Sequence, residues 1–523
     1  PLGLRRGLEM LKKVMIDITL SIKGPILCKS TFSSSWGIDA VFDRDYKGIP
    51  YIDRSHVKGK LREALKELGA AINYTKWLGD EGNERGLLLI SNFYCDESPQ
   101  NVRYEKKLNR IKMDRERKVV DETALMYMEN AFPPRRESYR WTGSMEFIAE
   151  DHETKTVADE IIMGLKWVTA LGSEKTAGFG KLVSIDTRIS EEEIRLPVNL
   201  EPLKATEEWL TITIEADEPI LIGGVQRTTT YRESEEVITG AIIKGALSET
   251  LNVLCGVPNP RSTPIDGNNS AVKEHYPYLA KHFSSIRFTH AFPSTDEKRP
   301  VAVPYSAVSD GSEFYDAALT DKADLINGRA PIFQTDWKGR PADFGWASPR
   351  KILKTRTAID ETLRRAEENK MFTYQYLSPV DNNDRTILWH GLIHLPKDDR
   401  ANLGAELLDA LPRIKRIGKR QSNIEFSVQT GKCKHTKEED SLKESEIILV
   451  TLQSDAVMID RDEFINEQSA QKLHELYSQY WKDISDNSLA MIRFFAHQKM
   501  LGGYLIRRNG GKYYPFYLTG AGS

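Results

Sequence analysis

The sequence predicts an α+β protein in which one unit of strands and helices occurs twice. The chain has 523 residues, which is more than one ordinary hydrophobic core accommodates. Residues 51–65 align without gaps on residues 237–251, with identical residues at six of the fifteen positions. A strand-like segment ending in Pro-Ile-Leu precedes each aligned block, at 25–27 and 219–221. These observations indicate an internal duplication.

Composition narrows the class of protein further. The 40% apolar and 28% charged residues are typical of a globular protein. The sequence has no run of about 18 apolar residues that could span a bilayer, so we expect no membrane role. The basic N-terminus lacks the apolar stretch of a signal peptide, so we expect a cytoplasmic location. Four cysteines lie far apart without a Cys-x-x-Cys pair, which indicates neither a disulfide framework nor a zinc site.

Both aligned blocks are predicted to be helices that pack one face on a sheet. Asp53 or Ser55 can cap the first helix and Thr239 the second, and apolar residues then recur every three to four positions. A Lys-Gly pair lies in the first turns of each helix, where free N–H groups and the helix dipole favour an anion. An ordinary polar helix start is the alternative. The pairs are Lys58-Gly59 and Lys244-Gly245.

A glycine-rich loop closes the first unit, between a predicted helix at 157–171 and a strand at 182–185. It is not a P-loop, because five residues separate Gly172 from Gly178, and its helix-to-strand order excludes a Rossmann fingerprint. Such a turn with Lys175 and Lys181 can still hold a sugar-phosphate backbone. Its counterpart at 417–423 keeps the first glycine, gains Lys419 and Arg420, and lacks Gly-Phe-Gly.

The net charge of −3 does not indicate a protein coated in nucleic acid, but one segment is strongly basic. Residues 103–118 contain eight Lys or Arg and three acidic residues. Such a segment can neutralise several phosphates. A solvated hairpin is the alternative.

Together, these motifs in residues 14–188 resemble the RAMP superfamily, and within it the repeated backbone subunit of type III CRISPR effectors. The motifs occur in the family's order. They read Gly-Ile-Asp-Ala-Val from Gly37, Lys-Gly-Lys-Leu-Arg from Lys58, Arg-Ile-Lys-Met-Asp-Arg from Arg110, and the loop from Gly172 to Gly180. The family usually has Pro-Gly-Ser before Lys-Gly, where this chain has residues 53–57. The second half resembles the large RAMP subunits of the III-D branch.

The resemblance implies two tandem ferredoxin-like βαββαβ domains, each with an inserted hairpin known as the thumb. The first domain is predicted at 1–208 with its thumb at 103–131, and the second at 209–430 with its thumb at 355–376. Residues 431–523 form a linker and a C-terminal α/β extension, and whether they complete the second domain stays open. In this extension we expect a strand at 447–452, a hairpin turning at Asn509-Gly510, and between them one amphipathic helix. The apolar residues of that helix are Phe464, Leu473, Leu476, Tyr477 and Tyr480.

The resemblance also implies a guide-RNA-binding subunit of an antiviral type III effector complex, with target RNA and the other subunits as further partners. In the family, the aspartate of the long loop after the first strand cleaves target RNA. Asp39 matches it and would bind Mg²⁺ or another divalent cation. A loop carboxylate can hold such an ion or orient a 2′-hydroxyl for attack on the adjacent phosphate, although Asp39 could also merely solvate a turn. The implied RNA-binding residues are Lys58, Lys60, Arg62, Arg110, Lys112, Arg115, Gly172, Lys175, Gly178, Phe179, Gly180, Lys181, Lys244, Gly245, Lys419 and Arg420.

The second unit lacks the stretch that contains Asp39. Leu27 and Tyr51 are 24 positions apart, whereas the equivalent Leu221 and Val237 are 16 apart. We therefore expect the second unit to bind RNA without cutting it. Two alternatives remain: a non-catalytic guide-RNA scaffold, and a metal-independent guide-processing endoribonuclease. His56 has either a structural role or that of a proton carrier.

Overall fold

The computed structural model describes residues 10–30, 37–80, 85–97, 107–113, 116, 120–204, 207–223, 228, 230–309, 314–318, 332–333, 344–359, 366–433, 447–466, 469–501 and 515–523. In this part of the chain, helices pack on largely antiparallel sheets, which confirms the predicted α+β class. None of its helices combines the length and apolarity needed to cross a bilayer.

The first unit, residues 11–193, is built around one antiparallel sheet. Its elements are β1 (Leu11–Lys23), β2 (Tyr51–Ile52), α1 (Arg54–Leu68), α2 (Tyr74–Leu78), β3 (Leu89–Ile90), β4 (Phe93–Cys95), β5 (Lys107–Met113), β6 (Val120–Glu129), β7 (Tyr139–Glu150), α3 (Asp151–Trp167) and β8 (Lys181–Glu193). The strand order in the sheet is β2-β4-β7-β1-β8, and β3 also pairs with β7. Along the chain, α1 lies between β1 and the short strands β3 and β4, and α3 lies between β7 and β8, which is the βαββαβ arrangement.

The second unit, residues 209–430, repeats this path. Its elements are β9 (Trp209–Ala216), β10 (Tyr231–Arg232), α4 (Gly240–Leu254), α5 (Ser270–His275), α6 (Pro277–His282), β11 (Arg287–Phe288), β12 (Phe292–Ser294), β13 (Ala307–Ser309), β14 (Phe314–Asp316), β15 (Ile332–Phe333), β16 (Pro349–Ile359), β17 (Ala366–Asp381), β18 (Leu388–His394), α7 (Arg400–Ala410), β19 (Arg416–Ile417) and β20 (Ser422–Thr430). The strand order in the main sheet is β11-β18-β9-β20-β19, and β12 also pairs with β18. Along the chain, α4 lies between β9 and β11, and α7 lies between β18 and β20.

The aligned sequence blocks correspond to the same helix in the two units. α1 and α4 both have 15 residues, and their buried faces coincide at equivalent positions, Val57, Leu61 and Leu65 in α1 and Ile243, Leu247 and Leu251 in α4. Asp53 caps α1 by accepting a hydrogen bond from the Ser55 N–H, whereas Thr239 makes no side-chain cap bond at α4. Each helix covers its own hydrophobic core. The domain boundaries at 208 and 430 remain predictions.

Each unit carries a hairpin at the position of its predicted thumb. β5 and β6 form a separate two-stranded sheet, whereas β16 and β17 pair with each other and with β10. Parts of both predicted thumbs, 103–106, 114–115, 117–119 and 360–365, lie outside the described residues.

The C-terminal region forms a small third cluster around Phe464 and Tyr477. It contains α8 (Arg461–Asn466), α9 (Ala470–Ile484), and β21 (Gln498–Leu501) paired with β22 (Phe516–Thr519). The predicted amphipathic helix forms in part: Leu473 to Tyr480 lie in α9, whereas Phe464 lies in the separate α8. The strand predicted at 447–452 is wrong: no residue of this segment lies in a strand, and residues 447–450 are exposed, Ile447 by 71%. Among the described residues, its backbone pairing is that of Leu452 with Gly522 and Ser523. The predicted turn at 509–510 lies outside the described residues.

Candidate nucleic-acid interface

Gly172 and Gly418 occupy equivalent positions in the two units. Both have positive φ, 94° and 79°, and a Cβ would lie 2.7 Å from the Leu27 carbonyl oxygen in the first and 2.6 Å from that of Leu221 in the second. In each loop, the N–H of the following residue donates to that same carbonyl, at 2.7 and 2.9 Å. Only glycine fits such a position. The two loops therefore begin with the same backbone structure, although the second lacks Gly-Phe-Gly.

The rest of the first loop presents backbone and lysines to solvent. Phe179 is buried in the first core, so its ring is not available for stacking on a base. Gly180 has a φ of 63°, and a Cβ there would lie 1.8 Å from the Leu171 carbonyl oxygen. Gly178 faces open space with a φ of 85°. The exposed lysines of this loop are Lys175 and Lys181.

His56 joins the start of α1 to the glycine loop. Its Nε2 accepts a hydrogen bond of 2.9 Å from the Gly172 N–H. Burial, and then the charges of Lys175 and Lys60, lower the pKa of His56 to about 4. The ring is therefore neutral at pH 7, and its hydrogen bond to the Gly172 N–H gives His56 a structural role in holding the loop.

The first hairpin contacts the glycine loop through one carboxylate. Glu174 forms ion pairs with Arg110 of β5 and, at 2.7 Å, with Lys29. The predicted Arg110 thus lies next to the loop. Lys112 lies in β5 but its side chain is not described, and Arg115 lies outside the described residues.

Asp39 lies at the base of the same hairpin. Its N–H donates to the Tyr127 carbonyl at 2.8 Å, and its Oδ2 accepts from the Tyr127 N–H at 2.7 Å. Ala40 next to it forms a parallel bridge with Met128 of β6. Asp39 is exposed, and its Oδ1 makes no hydrogen bond to any described residue. Its carboxylate is therefore held in place yet open to a ligand.

Asp39 is the carboxylate that the sequence predicts to bind a divalent ion. No group of three or more His, Cys, Asp or Glu able to hold a metal ion occurs among the residues the structure describes. Mg²⁺ is often bound by one or two carboxylates together with water and substrate phosphates. Asp39 therefore fits an ion whose other ligands come from RNA and water.

A cleft between the two units gathers three more predicted residues. Its volume is about 420 Å³, and Lys58, Lys419 and Arg420 line it. The Lys419 Nζ and the Arg420 Cζ lie 5.9 and 5.3 Å from the centroid of the Tyr374 ring. Arg54 spans the units by pairing with Glu218 at 2.6 Å and donating to the Arg420 carbonyl at 3.1 Å. Asp39 does not line this cleft.

Residues 19–183 match the family model of the RAMP superfamily. This part of the chain is a RAMP domain. Among solved structures, a chain of the type III-B Cmr-beta complex bound to cognate target RNA is similar, with 15% sequence identity and a TM-score of 0.27, covering 34% of this chain and 96% of that chain. No curated protein matches the sequence.

Other predicted cations have partners inside the protein. In the RAMP domain, Lys60 pairs with Glu63, and Arg62 donates to two backbone carbonyls at the end of α2, at 2.8 and 2.7 Å. In the second unit, Lys244 donates to the Ile286 carbonyl at 2.9 Å and lies over the Phe283 ring. Lys244 thus turns inward, unlike its equivalent Lys58, while Gly245 faces open space.

The second hairpin is anchored on the RAMP domain by residues that sequence reasoning missed. Arg356 pairs with Asp53 at 2.9 Å and also donates to the Ser55 hydroxyl. Lys354 contacts Asp43 at 3.7 Å and donates to the Tyr51 hydroxyl. The two cations are two residues apart in β16, on one face of the strand. The spacing of Lys354 and Arg356, which puts both cations on one face of a strand, is the sequence signal that could have identified this contact.

Proposed function

We propose that this protein is a guide-RNA-binding subunit of a type III CRISPR antiviral effector complex. One observation carries the proposal: in the RAMP domain, the basic hairpin contacts both the glycine loop, through Arg110 and Glu174, and the Asp39 loop, through Tyr127. Three motifs that are distant in sequence thus form one connected surface. Target RNA and neighbouring subunits of the complex are the further partners.

We further propose that Asp39 cleaves target RNA held on this surface. The 2′-hydroxyl of a displaced nucleotide attacks the adjacent phosphate, a bond from that oxygen to phosphorus forms, and the bond to the 5′-oxygen breaks. Asp39 orients the hydroxyl and accepts its proton, and water protonates the leaving oxygen. The Tyr127 N–H fixes the carboxylate for this task. A bound divalent cation would neutralise charge on the phosphate.

The reconstituted effector complex tests this role. Asp39→Ala and Asp39→Asn should abolish one target-RNA product while the complex still binds guide and target. Asp159→Ala is the matched control, since Asp159 is an exposed carboxylate on α3 with no salt bridge in the described part of the chain. Unchanged products in both Asp39 variants would favour the non-catalytic scaffold instead.

The guide-processing alternative gives a different result. It requires the isolated chain to cut repeat RNA in the presence of a chelator. The hydrogen bond from the Gly172 N–H to His56 Nε2 occupies the ring nitrogen that a proton carrier would use. We therefore expect no chelator-insensitive cleavage by the isolated chain.

A further inference from the structure

The cleft between the two units contains far more positive than negative charge. Nine Lys or Arg side chains line it, against the carboxylates of Asp45, Asp53 and Glu218. Four of these cations, Arg44, Arg54, Lys354 and Arg356, pair with carboxylates. The other five form no salt bridge with a described carboxylate. They are Lys58 and Arg85 from the RAMP domain and Arg416, Lys419 and Arg420 from the second unit.

Several of these cations lie close enough to repel one another, since the charge of Arg420 acts on Lys58 and Lys419, and that of Arg85 acts on Lys419. Burial, followed by the charge of Arg54, lowers the pKa of Arg416 to about 10. Burial and neighbouring arginines also lower the pKa of Lys419. Like charges in a partly buried site disfavour one another. An anion that enters such a cluster reduces the electrostatic repulsion among its cations.

We propose that the cleft is a phosphate-binding site shared by the two units, and that a phosphate group of an RNA strand occupies it. The assignment of that phosphate to RNA rests on the proposed function, whereas the phosphate site itself rests on the cleft. Lys58 and Arg85 contact the phosphate from one side, and Arg416, Lys419 and Arg420 contact it from the other.

The shape of the cleft fits a nucleotide better than a bare anion. Its volume of about 420 Å³ lies within the range of about 300–1,000 Å³ typical of small-ligand sites. Tyr374 lies beneath Lys419 and Arg420 and offers an aromatic surface next to the cations. Aromatic rings beside basic grooves stack on bases regardless of their identity. A phosphate on the cations would place its own nucleotide near this ring.

A ligand that needs both units also holds them together. The cations on the two sides belong to two units that have separate sheets and separate hydrophobic cores. A phosphate bound between them stabilises the native arrangement, because ligands that bind only the folded state raise its stability. RNA binding and the junction between the units are therefore coupled.

The full chain tests this with two probes. Thermal unfolding is followed with inorganic phosphate against sodium chloride of equal ionic strength, and affinity for a short single-stranded oligouridine RNA is measured over a salt series. The cleft variant is Lys58→Ala/Lys419→Ala/Arg420→Ala. Its matched control, Lys155→Ala/Arg195→Ala/Lys273→Ala, removes the same charges from exposed positions outside the cleft. Lys419→Ala alone, at an exposed position, serves if the triple variant unfolds.

We expect phosphate to raise the unfolding midpoint of the wild type and the control, and not that of the cleft variant. RNA affinity should fall in the cleft variant, with a salt dependence smaller by about 0.7 per lost phosphate contact. Equal behaviour of the cleft variant and the control with both probes overturns the proposal. Loss of the phosphate effect with unchanged RNA affinity overturns the assignment to RNA. If wild type and variants alike bind no RNA, the proposed function fails, while a phosphate effect specific to the cleft still supports the site.

Discussion

Lys58 carries its charge in an unfavourable environment. Burial lowers the pKa of its ammonium group to about 8, and nearby arginines contribute. They are Arg54 and Arg62 on α1, Arg420 across the cleft, and Arg261 from the segment after α4. A phosphate beside Lys58 would favour the protonated form. Binding of the phosphate is therefore linked to protonation of Lys58.

RNA affinity of the full chain should fall as the pH rises from about 7 to about 9, through the lowered pKa of Lys58. Lys58→Arg keeps a positive charge throughout this range, so we expect it to retain affinity and to lose the part of the pH dependence that Lys58 contributes, while Lys419, whose pKa is also lowered, contributes the rest. Lys58→Ala should show weak binding at all these pH values. Fluorescence anisotropy with a labelled oligouridine measures the affinity. A Lys58→Arg variant with the pH profile of the wild type would exclude Lys58 as the titrating group.

Sequence motifs identified only part of the cleft. Lys58 was found because its Lys-Gly pair is duplicated, and Lys419 and Arg420 were found because they follow the equivalent of Gly172. Arg85 and Arg416 belong to no motif, and only the packing of the two units brings them to the same cleft. Lys244, the duplicate of Lys58, binds backbone carbonyls and does not line the cleft, so its RNA contact stays a prediction.

At the scale of elements, the glycine loop shows how two neighbouring glycines differ. Both Gly178 and Gly180 have positive φ, so a side chain at either costs about 1 kcal/mol in backbone strain. Only at Gly180 would a Cβ overlap a backbone oxygen, that of Leu171, at 1.8 Å. Backbone cannot move aside as a flexible side chain can.

We expect Gly180→Ala to reduce the free energy of unfolding by about 1–3 kcal/mol more than Gly178→Ala, because only the former requires the loop to shift. Urea denaturation followed by circular dichroism measures both. Gly178→Ala is the control for positive φ. Equal losses in the two variants would show that the loop relaxes freely and that the close approach to Leu171 does not matter.

Hydrophobic periodicity predicted the elements with a strong repeat. α1, α4 and α9 follow the three-to-four spacing of their apolar residues, and their packing faces agree with it. The strand expected at 447–452 does not form because a β-branched apolar run needs a neighbouring strand along its length, and among the described residues its backbone pairing is limited to that of Leu452 with Gly522 and Ser523. A strand depends on a partner distant in sequence, whereas a helix makes its own hydrogen bonds.

The hairpin of β16 and β17 depends on ion pairs with the RAMP domain. Arg356→Met removes the partner of Asp53 and leaves that carboxylate largely enclosed. Because the two side chains are 26% and 20% exposed, we expect a loss of about 1–3 kcal/mol, below that of a fully buried pair. The urea midpoint measures it. Arg350→Met is the control, since Arg350 of β16 pairs with the exposed Asp384 in the turn that follows β17. Losses of equal size would contradict the anchoring role.

At the scale of the whole molecule, ion pairs join the two units. Arg54 with Glu218, Arg356 with Asp53, and Lys354 with Asp43 are the pairs that cross the junction. The hydrophobic clusters, by contrast, remain within each unit. Ion pairs respond to pH in a way that apolar contacts do not. Acid should therefore weaken the ion pairs between the units more than the apolar contacts within each hydrophobic core.

Asp53 gives this dependence a definite sign. Burial alone would raise its pKa, but the charge of Arg356 and hydrogen bonds from Ser55 outweigh burial and hold the pKa of Asp53 well below its usual range. A depressed pKa in the folded state stabilises the protein above the unfolded pKa of about 3.9. That contribution is lost as the pH falls below about 4, toward the lower folded value.

We therefore expect the wild-type urea midpoint to fall between about pH 4 and pH 3 more steeply than that of Arg356→Met, in which Asp53 has lost the cation that depresses its pKa. Other carboxylates titrate in the same range in both proteins, so the difference between the two curves isolates the Asp53 pair. Arg350→Met should follow the wild-type slope, because its ion pair lies outside the junction. Parallel curves for wild type and Arg356→Met would mean that Asp53 does not link the junction to pH.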